Sequence, residues 1–153
     1  MTIRGRILSG GHDLAVTGSN EIYWNIRLMP SGELDYDNIR TAAEFAEAVG
    51  GADYAEVSET SSEVTLRRSV RLPRDITMTG NFTIDLNGFS VGSMSAKQDE
   101  EMILRSAKGE QKIISSGSPY GAVTTPLEVS GGTLQLENIE ARKINVESGK
   151  LEL

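Results

Sequence analysis

The chain has 153 residues, a formal net charge of −7 and no cysteine. That length suffices for one real core, and the missing cysteines exclude a disulfide framework and a thiolate metal site. The acidic balance disfavours direct nucleic-acid binding and contact with anionic lipid, and nowhere does an apolar run reach the ~18 residues of a membrane helix.

The start, from Met1 to His12, is too polar for a signal peptide, so the chain as written is expected in the cytoplasm. If it is a fragment of a longer protein, the expectation changes to an extracellular or virion surface. Residues 1–37 read as an N-terminal β segment or cap. Ile22, Trp24, Ile26 and Leu28 alternate with Tyr23, Asn25 and Arg27, the period of a strand buried on one face. Gly18-Ser19-Asn20 makes 14–17 its hairpin partner, and Trp24 reads as a core anchor. His12, the only histidine, sits in a glycine-flanked stretch and reads as a turn residue rather than as a catalytic base.

Residues 38–49 predict the one helix. Thr41 and Glu44 have capping-box spacing, Ala42, Phe45, Ala46 and Val49 share a face, and Gly50-Gly51 ends the run. So short a helix needs its Phe45 face packed on something, and the open end of a stack of strands is the natural place. Residues 52–62 are loop-like after a strand at 54–57. From Glu63, Val64, Leu66, Val70 and Leu72 alternate with polar residues until Pro73. Arg67, Arg68, Arg71 and Arg74 crowd this span. The plain reading is a solvated outward face; the sharper one is a basic patch for an acidic partner or an anionic sugar.

Residues 76–91 organise the chain. Ile76 and Met78, then Phe82, Ile84 and Leu86, then Phe89 and Val91 alternate in three short runs, separated by Gly80-Asn81 and Asn87-Gly88. Runs so short and so close leave no room for helical crossovers, so they are hairpins or successive sides of a solenoid. Asp85, between Ile84 and Leu86, is expected to point outward. Asn87 suits a corner ladder. Two polar excursions follow, 93–101 and 115–125, and loops on a rigid stack are where binding usually sits. They make Asp99, Glu100, Glu101 and Tyr120 candidate binding residues, together with Arg67, Arg68 and Arg71.

The most specific signal is a repeat. Leu127-Glu-Val-Ser-Gly-Gly-Thr-Leu-Gln-Leu136 aligns without gaps on Ile144-Asn-Val-Glu-Ser-Gly-Lys-Leu-Glu-Leu153, an offset of 17 residues. Ile76 to Leu86 fits the same template with one insertion, 51 residues before Leu127, which predicts three periods. The predicted fold is therefore mainly β: a short parallel β-helix or solenoid over 38–153, with an N-terminal β segment and one capping α-helix.

The order helix, Val64-Thr-Leu66, Ile76-Thr-Met78, Phe82-Thr-Ile-Asp-Leu-Asn-Gly-Phe-Ser-Val91 and Gly131-Gly-Thr-Leu-Gln-Leu136 resembles the right-handed parallel β-helix repeats of pectate-lyase-like proteins found on bacterial surfaces and in phage tails. The resemblance covers about 38–153. It implies the architecture and says little about activity, because the chain has few coils, no secretion signal and no catalytic motif of that family. Asp99-Glu100-Glu101 is a calcium candidate by the same resemblance, but lacks a glycine-turned loop. Asp75 and Asp85 are the one carboxylate pair that neighbouring strands would bring together for glycoside hydrolysis. The expectation is a protein without enzymatic activity, cofactor or metal.

The final repeat stops at Leu153 with inward aliphatic side chains, each worth about 1.5–3 kcal/mol on burial, so either the natural chain continues or Ile144, Val146, Leu151 and Leu153 are expected to dock on another copy or on a partner. The functional expectation is an interaction module that binds a protein partner through an acidic solenoid face and its loops. A small phage-encoded inhibitor of a host protein is one form of it. The alternative is a fragment of a surface or tail-spike protein that binds polysaccharide.

Overall fold

The computed structural model describes residues 34–58, 60–93, 101–117 and 120–153. The expected strands at 14–17 and 21–28, Trp24, His12, Asp99 and Glu100 lie outside the described residues. The chain divides into two compact units, Met1–Leu34 and Asp35–Leu153.

The second unit is mainly β with one helix among the described residues, and its strands form curled, mixed sheets that leave an open half-barrel. Helix α1 (Ala42–Ala48) begins where Thr41 accepts a hydrogen bond from the Glu44 amide. Glu44 reaches back to the Arg40 amide at 2.9 Å, one residue earlier than a strict capping box. The helix ends as the sequence predicts: the Gly51 amide bonds to Ala46 O at 2.8 Å and the Gly50 amide to Glu47 O at 3.3 Å, both glycines having positive φ.

Among the described residues twelve strands follow: β1 (Ala55–Ser58), β2 (Glu63–Leu66), β3 (Val70–Leu72), β4 (Ile76–Met78), β5 (Phe82–Asp85), β6 (Ser90–Ser93), β7 (Leu104–Ser106), β8 (Glu110–Ile114), β9 (Gly121–Val123), β10 (Leu127–Glu137), β11 (Ile139–Ala141) and β12 (Ile144–Glu152). β1 pairs antiparallel with β2. Every other ladder among the described residues is parallel, and together these ladders make three columns. The first is β2, β5, β8 and the second half of β10. The second is β3, β6, β9 and β11, and the third is β4, β7 and the first half of β10. β12 lies along the whole of β10 and closes both outer columns.

Parallel register stacks like upon like. Val64, Ile84, Ile113 and Leu136 form one row; Val70, Val91, Val123 and Ala141 another; Ile76, Leu104, Leu127 and Ile144 a third. All are buried except the last members of the second and third rows. The 17-residue repeat is the direct register of β10 on β12, with Leu127 against Ile144, Val129 against Val146 and Leu134 against Leu151.

The expected three periods between Ile76 and Leu127 are instead two steps, 28 residues to Leu104 and 23 more to Leu127. Extra residues enter between the paired strands, so chain spacing varies while ladder register does not. Two polar residues also occupy inward positions. Ser106 stands between Met78 and Val129 in its row, and Gln111 between Phe82 and Leu134. Both are buried, and Ser106 donates to Gln111 Oε1 while Gln111 Nε2 donates to Gly80 O at 2.6 Å and Lys108 O at 2.8 Å. Their polar groups are thus matched inside the core, at little cost.

α1, β1 and the segment before the helix gather at the first pass. Ile39 bridges to Met78, and Phe45, fully buried, meets Phe82 with ring centroids 6.1 Å apart. At the opposite edge β12 has no strand on its outer side among the described residues. There Val146 is 46% exposed and Leu153 91%.

Candidate functional site

Once alternation turns Val64, Ile84, Ile113 and Leu136 inward, the neighbouring residues of the first column must face out. Register then aligns Thr83, Lys112, Gln135 and Glu152 in one outward row, and Glu110, Thr133 and Lys150 in the next. Ser61, Ser62 and Asn81 complete the wall of a groove of about 430 Å³, with Phe82 and Gln111 beneath it. Asn81 is fixed there because its Oδ1 accepts the Glu110 amide at 2.8 Å.

The groove is polar and carries charges of both signs. Lys150 Nζ lies 2.6 Å from Glu152 Oε1. The hydrogen bond and charge of Glu152 hold the Lys150 ammonium above its ordinary range, and Glu110 adds to this from the adjacent strand, while a small desolvation opposes it.

The backing of this face is tied from pass to pass at the corners. Asp85 does not point outward as its place in the alternation predicts. It ends β5 at a corner and turns in: Oδ1 accepts the Asn87 and Ser116 amides, each at 2.9 Å, and Oδ2 accepts the Ser116 hydroxyl at 2.6 Å. Asn87 adopts a left-handed φ of 49° and donates from Nδ2 to Leu66 O one pass earlier. Asn138 repeats the device with φ 56° and a 2.9 Å bond to Ser115 O. The corner where Asn or Ser was expected to form a ladder thus carries Asn87, then Ser115, whose hydroxyl accepts the Gly88 amide at 2.9 Å, then Asn138.

Asp75, the other half of the carboxylate pair, accepts the Ile103 amide at 2.9 Å. Both carboxylates thus serve as backbone acceptors. Among the described residues no three His, Cys, Asp or Glu side chains gather as metal ligands, and no helix is long and apolar enough to cross a membrane.

The binding residues expected from sequence do not converge. Arg67 lies 3.7 Å from Glu56, and Arg68 stacks over Tyr54 at 4.8 Å. Arg71 is exposed on β3, in the second column. Arg74, from the same basic run, covers Tyr36 at 4.9 Å. Glu101 is ion-paired with Arg142, which bridges the first excursion to the segment after β11. Tyr120, 56% exposed, precedes β9. Ile144 and Leu151 are half-buried on β12 beside the exposed Val146 and Leu153.

Sequence reasoning missed Asn81, Thr83, Glu110, Lys112, Gln135 and Lys150. Each occupies an outward position in or beside a strand, but their meeting depends on which strands are neighbours. The chain matches no protein-family model, no curated protein and no solved structure.

Proposed function

We propose that each pass through the three columns is one coil of a short β-solenoid, and that the molecule works as a non-enzymatic protein-binding module. Support for the solenoid comes from the ladder order and from the inward rows Val64 to Leu136 and Ile76 to Ile144. The binding face is the groove on the first column.

One observation carries the binding reading: Glu110, Lys112, Lys150 and Glu152 place anions and cations on neighbouring strands, with hydroxyls and amides between them. Such a wall complements a polypeptide surface that bears both charges, and rejects one of a single sign. Phe82 is the one ring among the lining residues and it is buried, so no aromatic plane is offered to the apolar face of a sugar. Corner ties by Asp85, Asn87 and Asn138 hold the wall in place before a partner arrives, which lowers the ordering cost of binding.

The test is affinity capture from bacterial lysate with three tagged chains: the native sequence, Lys112→Glu in the groove, and Arg71→Glu in the second column. One protein at a fixed ratio is expected on the native chain and on Arg71→Glu, and its loss on Lys112→Glu. Capture indifferent to Lys112→Glu, or retention of cell-wall or capsule polysaccharide in place of a protein, overturns the reading. A captured enzyme whose activity falls on binding would make the module an inhibitor.

A further inference from the structure

The unpaired edge of β12 is close to a palindrome about the junction of Ser148 and Gly149. Outward from that junction, Glu147 answers Lys150, Val146 answers Leu151, Asn145 answers Glu152 and Ile144 answers Leu153. Apolar residues answer apolar residues, and an anion answers a cation.

The match holds in three dimensions only because the strand is irregular. Val146 and Leu151 are five residues apart, and in a regular strand they would face opposite sides. Here both stack on buried residues, Val146 on Val129 and Leu151 on Leu134, because register shifts occur between Val129 and Thr133 of the neighbouring strand. Ile144 likewise stacks on the buried Leu127. Glu147 and Lys150, next to inward residues on either side of the junction, are both exposed. Val146 and Leu151, both stacked on core residues, therefore exchange places when the strand is reversed about its centre, as do the exposed Glu147 and Lys150, while Leu153, opposite Ile144, lies just past the end of the strand.

We propose that this edge is a self-pairing surface on which β12 of a second copy lies antiparallel, related by a two-fold axis between Ser148 and Gly149. The interface is isologous, so each pairing occurs twice. Ile144 and Val146 of one copy meet Leu153 and Leu151 of the other on the inner side. Glu147 of each copy meets Lys150 of the other on the outer side. Lys150 already holds Glu152 of its own chain at 2.6 Å, and its ammonium has further donors for a second carboxylate. The pairing also satisfies the outer backbone groups of β12, which an edge strand otherwise leaves to water or to aggregation. This inference does not rest on the groove reading, although Lys150 also lines the groove; its readout is self-association, and its test leaves Lys112 unchanged.

The test is sedimentation equilibrium of the full chain, alone and with two charge reversals at exposed positions. The native chain is expected to approach a dimer of twice 16.5 kDa as concentration rises. Glu147→Lys alone, and Lys150→Glu alone, each set like charges opposite one another at both ends of the axis. Each should weaken self-association about tenfold or more. An equimolar mixture of the two variants restores opposite charges in both pairings, so dimerisation should return with one copy of each variant. Far-UV circular dichroism checks that both variants keep the native fold. A native chain that stays monomeric, single reversals that dimerise like the native chain, or a mixture no tighter than its components overturns the proposal.

Discussion

Phe45 of α1 and Phe82 of β5 face each other at 6.1 Å with their planes inclined by 38°, so the helix is anchored on the strand that also carries the groove. Tilted aromatic pairs add to the energy of burial itself. Phe45→Ala is expected to cost about 3–5 kcal/mol, read as a lower urea midpoint with an unchanged slope. A loss below about 1 kcal/mol would mean that the helix does not close this end.

Asp85 gathers three donors from two consecutive passes. Asp85→Ala removes both acceptor oxygens, and with them all three hydrogen bonds, and is expected to cost about 1–3 kcal/mol in thermal or urea unfolding. Asp85→Asn keeps one carbonyl oxygen and should cost less. A loss below about 0.5 kcal/mol for Asp85→Ala would show that these hydrogen bonds add nothing to stability.

Gly80 leaves no room for a side chain: a Cβ there would sit 1.9 Å from the carbonyl oxygen of Arg40. Gly80→Ala must push away the 36–40 segment and should destabilise by about 1–3 kcal/mol or more. The Thr79 amide, which donates to Ile39 O at 2.8 Å, should lose protection from hydrogen exchange. Gly92 is the control, since a Cβ there meets the Thr124 hydroxyl at 3.1 Å and no backbone atom. Gly92→Ala should cost under about 1 kcal/mol, and equal losses at the two glycines would sink the argument.

Lys150 is held above the ordinary lysine value, first by its hydrogen bond to Glu152 and then by the charge of that residue. A raised folded-state pKa stabilises the fold fully below the unfolded pKa, and that contribution disappears as pH rises through the folded pKa. Exposure keeps the effect small. Titration of the Lys150 ammonium by NMR should show the elevation, and Glu152→Gln should bring it down. An elevation that survives Glu152→Gln would assign the cause elsewhere.

The legible part of the fold was the part with constant chain spacing. Leu127 to Val129 and Thr133 to Gln135 pair with β12 at one offset of 17 residues on both sides of the irregularity at Ser130, so the repeat announces its own register. Thr41, Glu44 and Gly50-Gly51 likewise announce the helix, because caps act within a few residues. β7 and β8 break the alternation that marks the other strands. Ser106 and Gln111 hold inward places there, and a polar pair that satisfies itself breaks the apolar alternation without breaking the ladder. The groove was illegible for a related reason. Thr83, Lys112 and Gln135 are ordinary outward residues until the ladders set them side by side, and the intervals between ladders vary from pass to pass. Asp85 misled because period-two reasoning fails at the last residue of a strand, where the chain is already turning.

The parallel passes also give assembly of the molecule a direction. α1, β1 and the 36–39 segment precede the first pass in the chain and rest upon it, so on the ribosome the covered pass emerges before the others. Each later strand of the first column has its ladder partner earlier in the chain, β5 on β2, β8 on β5 and β10 on β8. Pulled from the other side, the same molecule would peel pass by pass, with β12 leaving first.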